Sequence, residues 1–108
     1  MSKEYFELRQ KFPDRIPVLL HSLSKRTIVL KDHKFLVPKS LKIGEFMFII
    51  RSRLHITAET AIFIFVKKQT ESTYVIPLAS ASVETIAENF AYIEGHLPIF
   101  VATENTFG

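Results

Sequence analysis

The sequence predicts an α+β fold: one four-stranded mixed sheet with helices packed across it. Two observations predict it. Short runs rich in β-branched and aromatic residues, "IPVLLHSL", "KFLVP", "AIFIFV" and "LPIFVA", are bounded by turn residues as strands are. Between them, stretches with apolar residues at three- and four-residue intervals read as amphipathic helices. Strands and helices mixed in a chain of 108 residues imply one sheet and one core.

The elements follow in order. Ser2 is placed to cap a short helix through Lys11, with Tyr5, Leu8 and Phe12 at helical spacing. Pro13 and Pro17 then enforce extended backbone, so "IPVLLHSL" reads as a buried strand. After a polar link containing Lys25 and Arg26, "TIVL" and "KFLVP" are both extended, the second ended by Pro38. Ile43, Phe46, Met47, Ile50 and Leu54 put one apolar face on a helix over 43–54. "AIFIFV" at 61–66 is a core strand, and "KKQTESTY" at 67–74 is expected as a polar loop. Val83, Ile86, Ala87 and Phe90 predict another helix, capped by Ser80 or Ser82, with Gly95 past its end. "LPIFVA" at 97–102 is the last strand. The whole reads as a single domain over 1–108: a helix at 1–12, a core at 13–102 and a tail at 103–108.

Composition narrows the function. Without cysteine there is no disulfide framework, no thiolate metal site and no cysteine nucleophile, so the chain is no thioester-forming enzyme. No apolar run approaches the ~20 residues that span a bilayer, and "MSKEYFELRQ" is too charged for a signal peptide, which points to the cytosol or nucleus. The net charge of +3 is unevenly spread. Residues 1–54 carry 12 Lys/Arg against 5 Asp/Glu, or +7, and residues 55–108 carry 2 against 6, or −4. A basic half suits an acidic partner. Nucleic acid is not the expected one, because the cations are dispersed and no RNA-binding or zinc-finger pattern frames them. His21, His33, His55 and His96 lack metal-ligand spacing, and no cofactor is expected. Without further information Phe46 and Ile49 read as core, Lys34 and Arg53 as solvated charges, and Phe63 and Phe65 as core.

A strand-strand-helix opening with a protruding C-terminal tail is the order that a ubiquitin-like β-grasp requires, although ferredoxin-like folds also alternate strands and helices. The residues carry the choice further. "KFPDRIPVLL", "KFLVPKSLKIGEFMFIIRSRLHITAETAIFIFV" and the terminal "ENTFG" resemble the autophagy ubiquitin-like modifiers, the family of GABARAP and the microtubule-associated light chains. The match runs from about Leu8 to Phe65, with a short deletion near 26–32, and resumes at Val75 through "VIPLASAS" to Gly108.

That resemblance implies a β-grasp with a helical N-terminal extension, and a modifier rather than an enzyme. Gly108 would be adenylated by an activating enzyme and passed by a conjugating enzyme to the amine of phosphatidylethanolamine. A cysteine protease would process or release it. Location would be cytoplasmic, and on the autophagosome membrane once lipidated. The resemblance also implies a groove for receptors bearing an aromatic-x-x-aliphatic motif preceded by acids. Its aromatic pocket maps onto Glu4, Leu8, Pro17, Lys34 and Leu36. Its aliphatic pocket maps onto Phe35, Val37, Pro38, Leu41, Phe46, Ile49 and Arg53, with Arg15 and Asp32 at the rim. Independently of the family, a proline-ended "KFLVP" reads as an edge strand able to accept an extended peptide.

Three departures from the family pattern stand out. The chain starts about a dozen residues late, so the first family helix is largely missing. Asp32 falls where relatives carry a basic residue, and 67–74 contains an insertion. Other readings remain open at this stage: a sibling modifier attached to protein lysine, which characteristically ends in Trp-Gly where this chain ends in Phe-Gly, or an unconjugated peptide-binding adaptor.

Overall fold

The computed structural model describes residues 3–23, 34–68, 73–89 and 95–103. Its elements are α1 (Lys3–Lys11), β1 (Arg15–Ser22), β2 (Lys34–Pro38), α2 (Ile43–Arg53), β3 (Ile62–Lys68), β4 (Thr73–Val75), α3 (Val83–Asn89) and β5 (Leu97–Thr103). They form a five-stranded mixed sheet in the order β2-β1-β5-β3-β4. β1 runs parallel to β5, and the remaining pairs are antiparallel. The predicted α+β β-grasp therefore stands, with one strand more than expected.

The extra strand corrects the polar loop expected at 67–74. β3 continues to Lys68, and Thr73–Val75 returns beside it, with Lys67 opposite Tyr74. Polarity misled here because a short edge strand is solvated along its free side. Tyr74 supplies the apolar contact, meeting Phe65 edge-on at 6.2 Å and Phe100 at 5.1 Å. "TIVL", Ser2, Phe90 and the 104–108 tail lie outside the described residues.

Strand alternation sorts the side chains onto two faces. Ile16, Val18 and Leu20 of β1, Ile62, Ile64 and Val66 of β3, and Leu97, Ile99 and Val101 of β5 point into one core. Ile43, Phe46 and Ile50, at intervals of three and four, bury the facing stripe of α2 in it, and Val83, Ile86 and Ala87 of α3 join them. The other face carries Pro17, Leu19 and His21, then Phe100, Phe65 and Tyr74, with His21 stacked on Phe100 at 5.0 Å. Phe63 and Phe65 were expected in the core. They are half-buried on this second face, because a period of two separates them from Ile62, Ile64 and Val66. α1 also packs on the second face: its Tyr5 ring lies 4.8 Å from that of His96, next to the start of β5.

The helix starts are held by backbone. Ile43 N–H donates to Ala81 O at 2.9 Å and Gly44 N–H to Ala79 O at 2.9 Å, while Val83 N–H donates to Leu41 O at 2.8 Å. The first turns of α2 and α3 are thus mutually capped, which satisfies amides that no helix can bond internally. Glu45 reaches back to the Lys42 N–H at 3.0 Å, and Ser82, one of the two predicted caps, accepts the Thr85 N–H at 3.1 Å. Gly95 adopts φ 92, a backbone state that suits glycine.

Pro98 is buried in a central strand, where proline removes a ladder donor. The pairing explains how the sheet tolerates it. The β3–β5 ladder ends at Phe65↔Phe100, two residues short of Pro98, and beyond that point β3 pairs with β4 on its other side. No described helix is long and apolar enough to cross a membrane.

Candidate functional site

Among the described residues β2 is one of the two outer strands of the sheet, as the proline-ended sequence predicted. Which of its amides are free follows from the ladder phase. Lys39 N–H donates to Asp14 O at 3.1 Å, so 14↔39 is a hydrogen-bonded pair. The register Arg15↔Pro38, Ile16↔Val37, Pro17↔Leu36, Val18↔Phe35, Leu19↔Lys34 continues from it. Antiparallel pairs alternate, so Ile16↔Val37 and Val18↔Phe35 hold the strand, whereas Lys34, Leu36 and Pro38 turn their backbone groups to the open edge. Both prolines, Pro17 and Pro38, fall in the non-bonded pairs, where a missing N–H costs the ladder nothing.

The same alternation gives the edge two sides. Lys34, Leu36 and Pro38 lie on the α1 side. There Lys34 Nζ sits 3.5 Å from Glu4 Oε2, both side chains exposed, and Pro17 is buried beneath. Leu8 is half-buried on α1. Phe35 and Val37 lie on the α2 side. Phe35 meets Phe46 edge-on at 5.5 Å, and the Arg53 guanidinium carbon stands 5.9 Å from the Phe35 ring. Leu41 packs partly buried against the same core, and Ile49 is half-buried on α2.

The residues expected for the aromatic pocket therefore come together around α1, β1 and the near side of β2. Those expected for the aliphatic pocket gather between β2 and α2, with a qualification for three of them. Phe46 at 0 % and Val37 at 4 % exposure are core, and the half-buried Phe35, Leu41 and Ile49 present the accessible apolar surface of this group. Pro38, grouped with the aliphatic pocket, lies by strand alternation on the α1 side instead. Arg15 is exposed at the edge, and its Nη1 donates to Leu36 O at 3.3 Å, a contact that sequence spacing could not reveal. Asp32 and Gly108 lie outside the described residues. The exposed pair Glu4–Lys34 contributes little stability, but among the described residues Arg15, Lys34 and Arg53 outweigh Glu4 at this edge.

A family model described as "Autophagy protein Atg8 ubiquitin like" matches residues 1–108. The chain belongs to the Atg8 family. Among Atg8 relatives, Autophagy-related protein 8 of Schizosaccharomyces pombe is 39% identical over 102 residues, covering 94% of this chain and 79% of the relative. That of Coccidioides immitis is 40% identical over 102 residues, covering 94% and 82%. Among solved structures, Trypanosoma brucei ATG8 superposes with a TM-score of 0.80 at 29% identity, covering 97% of this chain and 86% of the other. Plasmodium falciparum Atg8, solved in complex with a peptide of Plasmodium falciparum Atg3, gives 0.75 at 25% identity, covering 91% and 83%. The family resemblance read from "KFLVP" and "ENTFG" is thereby established.

Proposed function

We propose that this chain is a ubiquitin-like modifier of autophagy, joined through the Gly108 carboxylate to phosphatidylethanolamine, and that its β2 edge docks receptors bearing aromatic-x-x-aliphatic motifs. The observation that supports the docking half best is the pairing of an open edge with two pockets on opposite faces. In an extended guest, residues three apart point to opposite sides. An aromatic at one position and an aliphatic three later would straddle the edge, one against α1 and the other against α2, while the guest backbone bonds the outward groups of Lys34 and Leu36. Arg15, Lys34 and Arg53 suit acids in the guest.

The conjugation half is supported by Atg8 family membership, by the terminal "ENTFG", and by the relative solved with an Atg3 peptide. In this reading the chain is a substrate. The Gly108 carboxylate attacks ATP in the activating enzyme, releasing pyrophosphate and forming an acyl adenylate. An enzyme thiolate displaces AMP, the thioester moves to the conjugating enzyme, and the lipid amine displaces that thiolate to form an amide. A cysteine protease would reverse the last bond by hydrolysis. Glycine leaves the reacting carbonyl unhindered. The modifier would be cytoplasmic when free and held on autophagosomal membranes when lipidated, recruiting cargo receptors there.

Reconstitution tests this reading. Purified chain with activating enzyme, conjugating enzyme, ATP and phosphatidylethanolamine liposomes should give a lipid adduct on Gly108 by mass spectrometry. Adducts on protein lysines with none on lipid would refute the lipid assignment and favour the sibling modifier.

A further inference from the structure

The contact between Arg15 and Leu36 reaches beyond the docking reading on which it rests. Pro17↔Leu36 is a non-bonded pair, so the Leu36 carbonyl points away from β1 to the edge and no β1 backbone N–H reaches it. Arg15 Nη1 donates to it from the side at 3.3 Å, the long end for such a bond, between two exposed groups. We propose that Arg15 is a stand-in for the guest backbone: it covers the Leu36 carbonyl in the free protein and must release it when a guest N–H arrives.

Exchange has a consequence that simple attraction lacks. A guest without acids replaces one hydrogen bond on Leu36 by another and leaves the guanidinium to water, so the net gain from that backbone contact is small. A guest with a carboxylate nearby gives the released guanidinium a charge-assisted partner, which is the stronger type of bond. Arg15 therefore penalises neutral guests and favours acidic ones, and the preference arises at a backbone position. Unpaired edge groups also invite unwanted strand pairing, and a side chain parked on one of them makes the empty edge less adhesive.

The test uses the full chain, calorimetry and two synthetic extended peptides with the same aromatic-x-x-aliphatic core, one neutral and one with Glu before and within it. Arg15→Met should bind the neutral peptide about two- to fivefold more tightly than the parent does, because no internal donor has to be displaced. It should bind the acidic peptide more weakly. An amide-to-ester change at the guest position facing Leu36 should cost less in the parent, where Arg15 can keep the carbonyl, than in Arg15→Met. A neutral peptide whose affinity is unchanged or reduced by Arg15→Met would make Arg15 an ordinary rim cation and overturn the exchange. Failure of both peptides to bind the parent chain would overturn the docking reading, and the exchange with it.

Discussion

A proline scan of β2 tests the ladder phase and the docking edge together. The perturbation is Leu36→Pro, compared with Leu36→Ala and Phe35→Pro. Leu36 N–H points to the open edge, so proline at 36 removes no bond within the sheet. It fixes φ near −65° and trims a half-buried side chain, which together should cost about 1–2 kcal/mol, much of it shared with Leu36→Ala. At Phe35 the outcome differs. That residue faces Val18, a 0 %-exposed position in a hydrogen-bonded pair, so proline there removes a ladder donor and strands the Val18 carbonyl. An unsatisfied buried acceptor costs about 1–3 kcal/mol in addition to the lost bond and the lost Phe35–Phe46 contact, or about 3 kcal/mol or more in all. Thermal unfolding should therefore separate the variants clearly, since about 1 kcal/mol moves the midpoint of a domain this size by roughly 4–8 °C. Calorimetry should then show Leu36→Pro binding an aromatic-x-x-aliphatic peptide about two- to tenfold more weakly than Leu36→Ala, the worth of one backbone hydrogen bond. Equal destabilisation by the two prolines would refute the phase. Equal affinity of Leu36→Pro and Leu36→Ala would refute a backbone contact at Leu36.

Phe35→Ala should weaken the same peptide by about 1–3 kcal/mol through loss of an apolar contact, measured by calorimetry on variant that remains folded; unchanged affinity would remove Phe35 from the pocket. Arg51 Nη1 donates to Thr57 O at 3.0 Å and Thr60 O at 2.8 Å, tying the chain after α2 to that helix. Arg51→Met, which keeps the apolar stem, should cost about 1–3 kcal/mol, and an unaltered melting temperature would show that the two carbonyls are satisfied without it. Deleting Gly108 should abolish lipid conjugation in the reconstituted system while peptide affinity stays within error; a lipid adduct of normal yield would refute the proposed attachment point.

Much of the architecture could be read from the sequence because local chemistry and tertiary burial agree. The α2 stripe of Ile43, Phe46 and Ile50 and the alternation of Ile16, Val18 and Leu20 are both local patterns with a single buried face. β4 was missed because its stability is non-local: Thr73 and Tyr74 are exposed, and the strand exists through pairing with β3 and the contact of Tyr74 with Phe65 and Phe100. Phe63 and Phe65 were misread for a related reason. In "AIFIFV" every residue is apolar, so periodicity does not say which set faces the helices. For the docking edge, the strand and its prolines were apparent, and the family resemblance supplied the pocket residues. The ladder phase was not available, because it depends on Lys39 bonding Asp14, far back along the chain, at the end of the ladder away from the β1–β2 link. Nor was the Arg15 contact, which joins residues 21 apart along the chain.

The sheet order also bears on how two proposed activities share so small a body. β5 ends at Thr103, and by the parallel register Val101 stands level with Ser22, which sets Thr103 two residues further along the direction of β1. Leu36 is level with Pro17, seven positions back from there, and β2 lies two strands away from β5. At ~3.3 Å per residue and ~4.8 Å per strand, the point where the described chain ends is roughly 25 Å from the middle of the docking edge. A membrane or enzyme that stays beyond that point would leave β2 uncovered. Receptor capture by the lipid-bound form and capture of the free form would then have the same affinity. Peptide titration against the chain before and after attachment to liposomes measures this directly, and a loss of affinity larger than threefold on attachment would mean that the membrane reaches the edge.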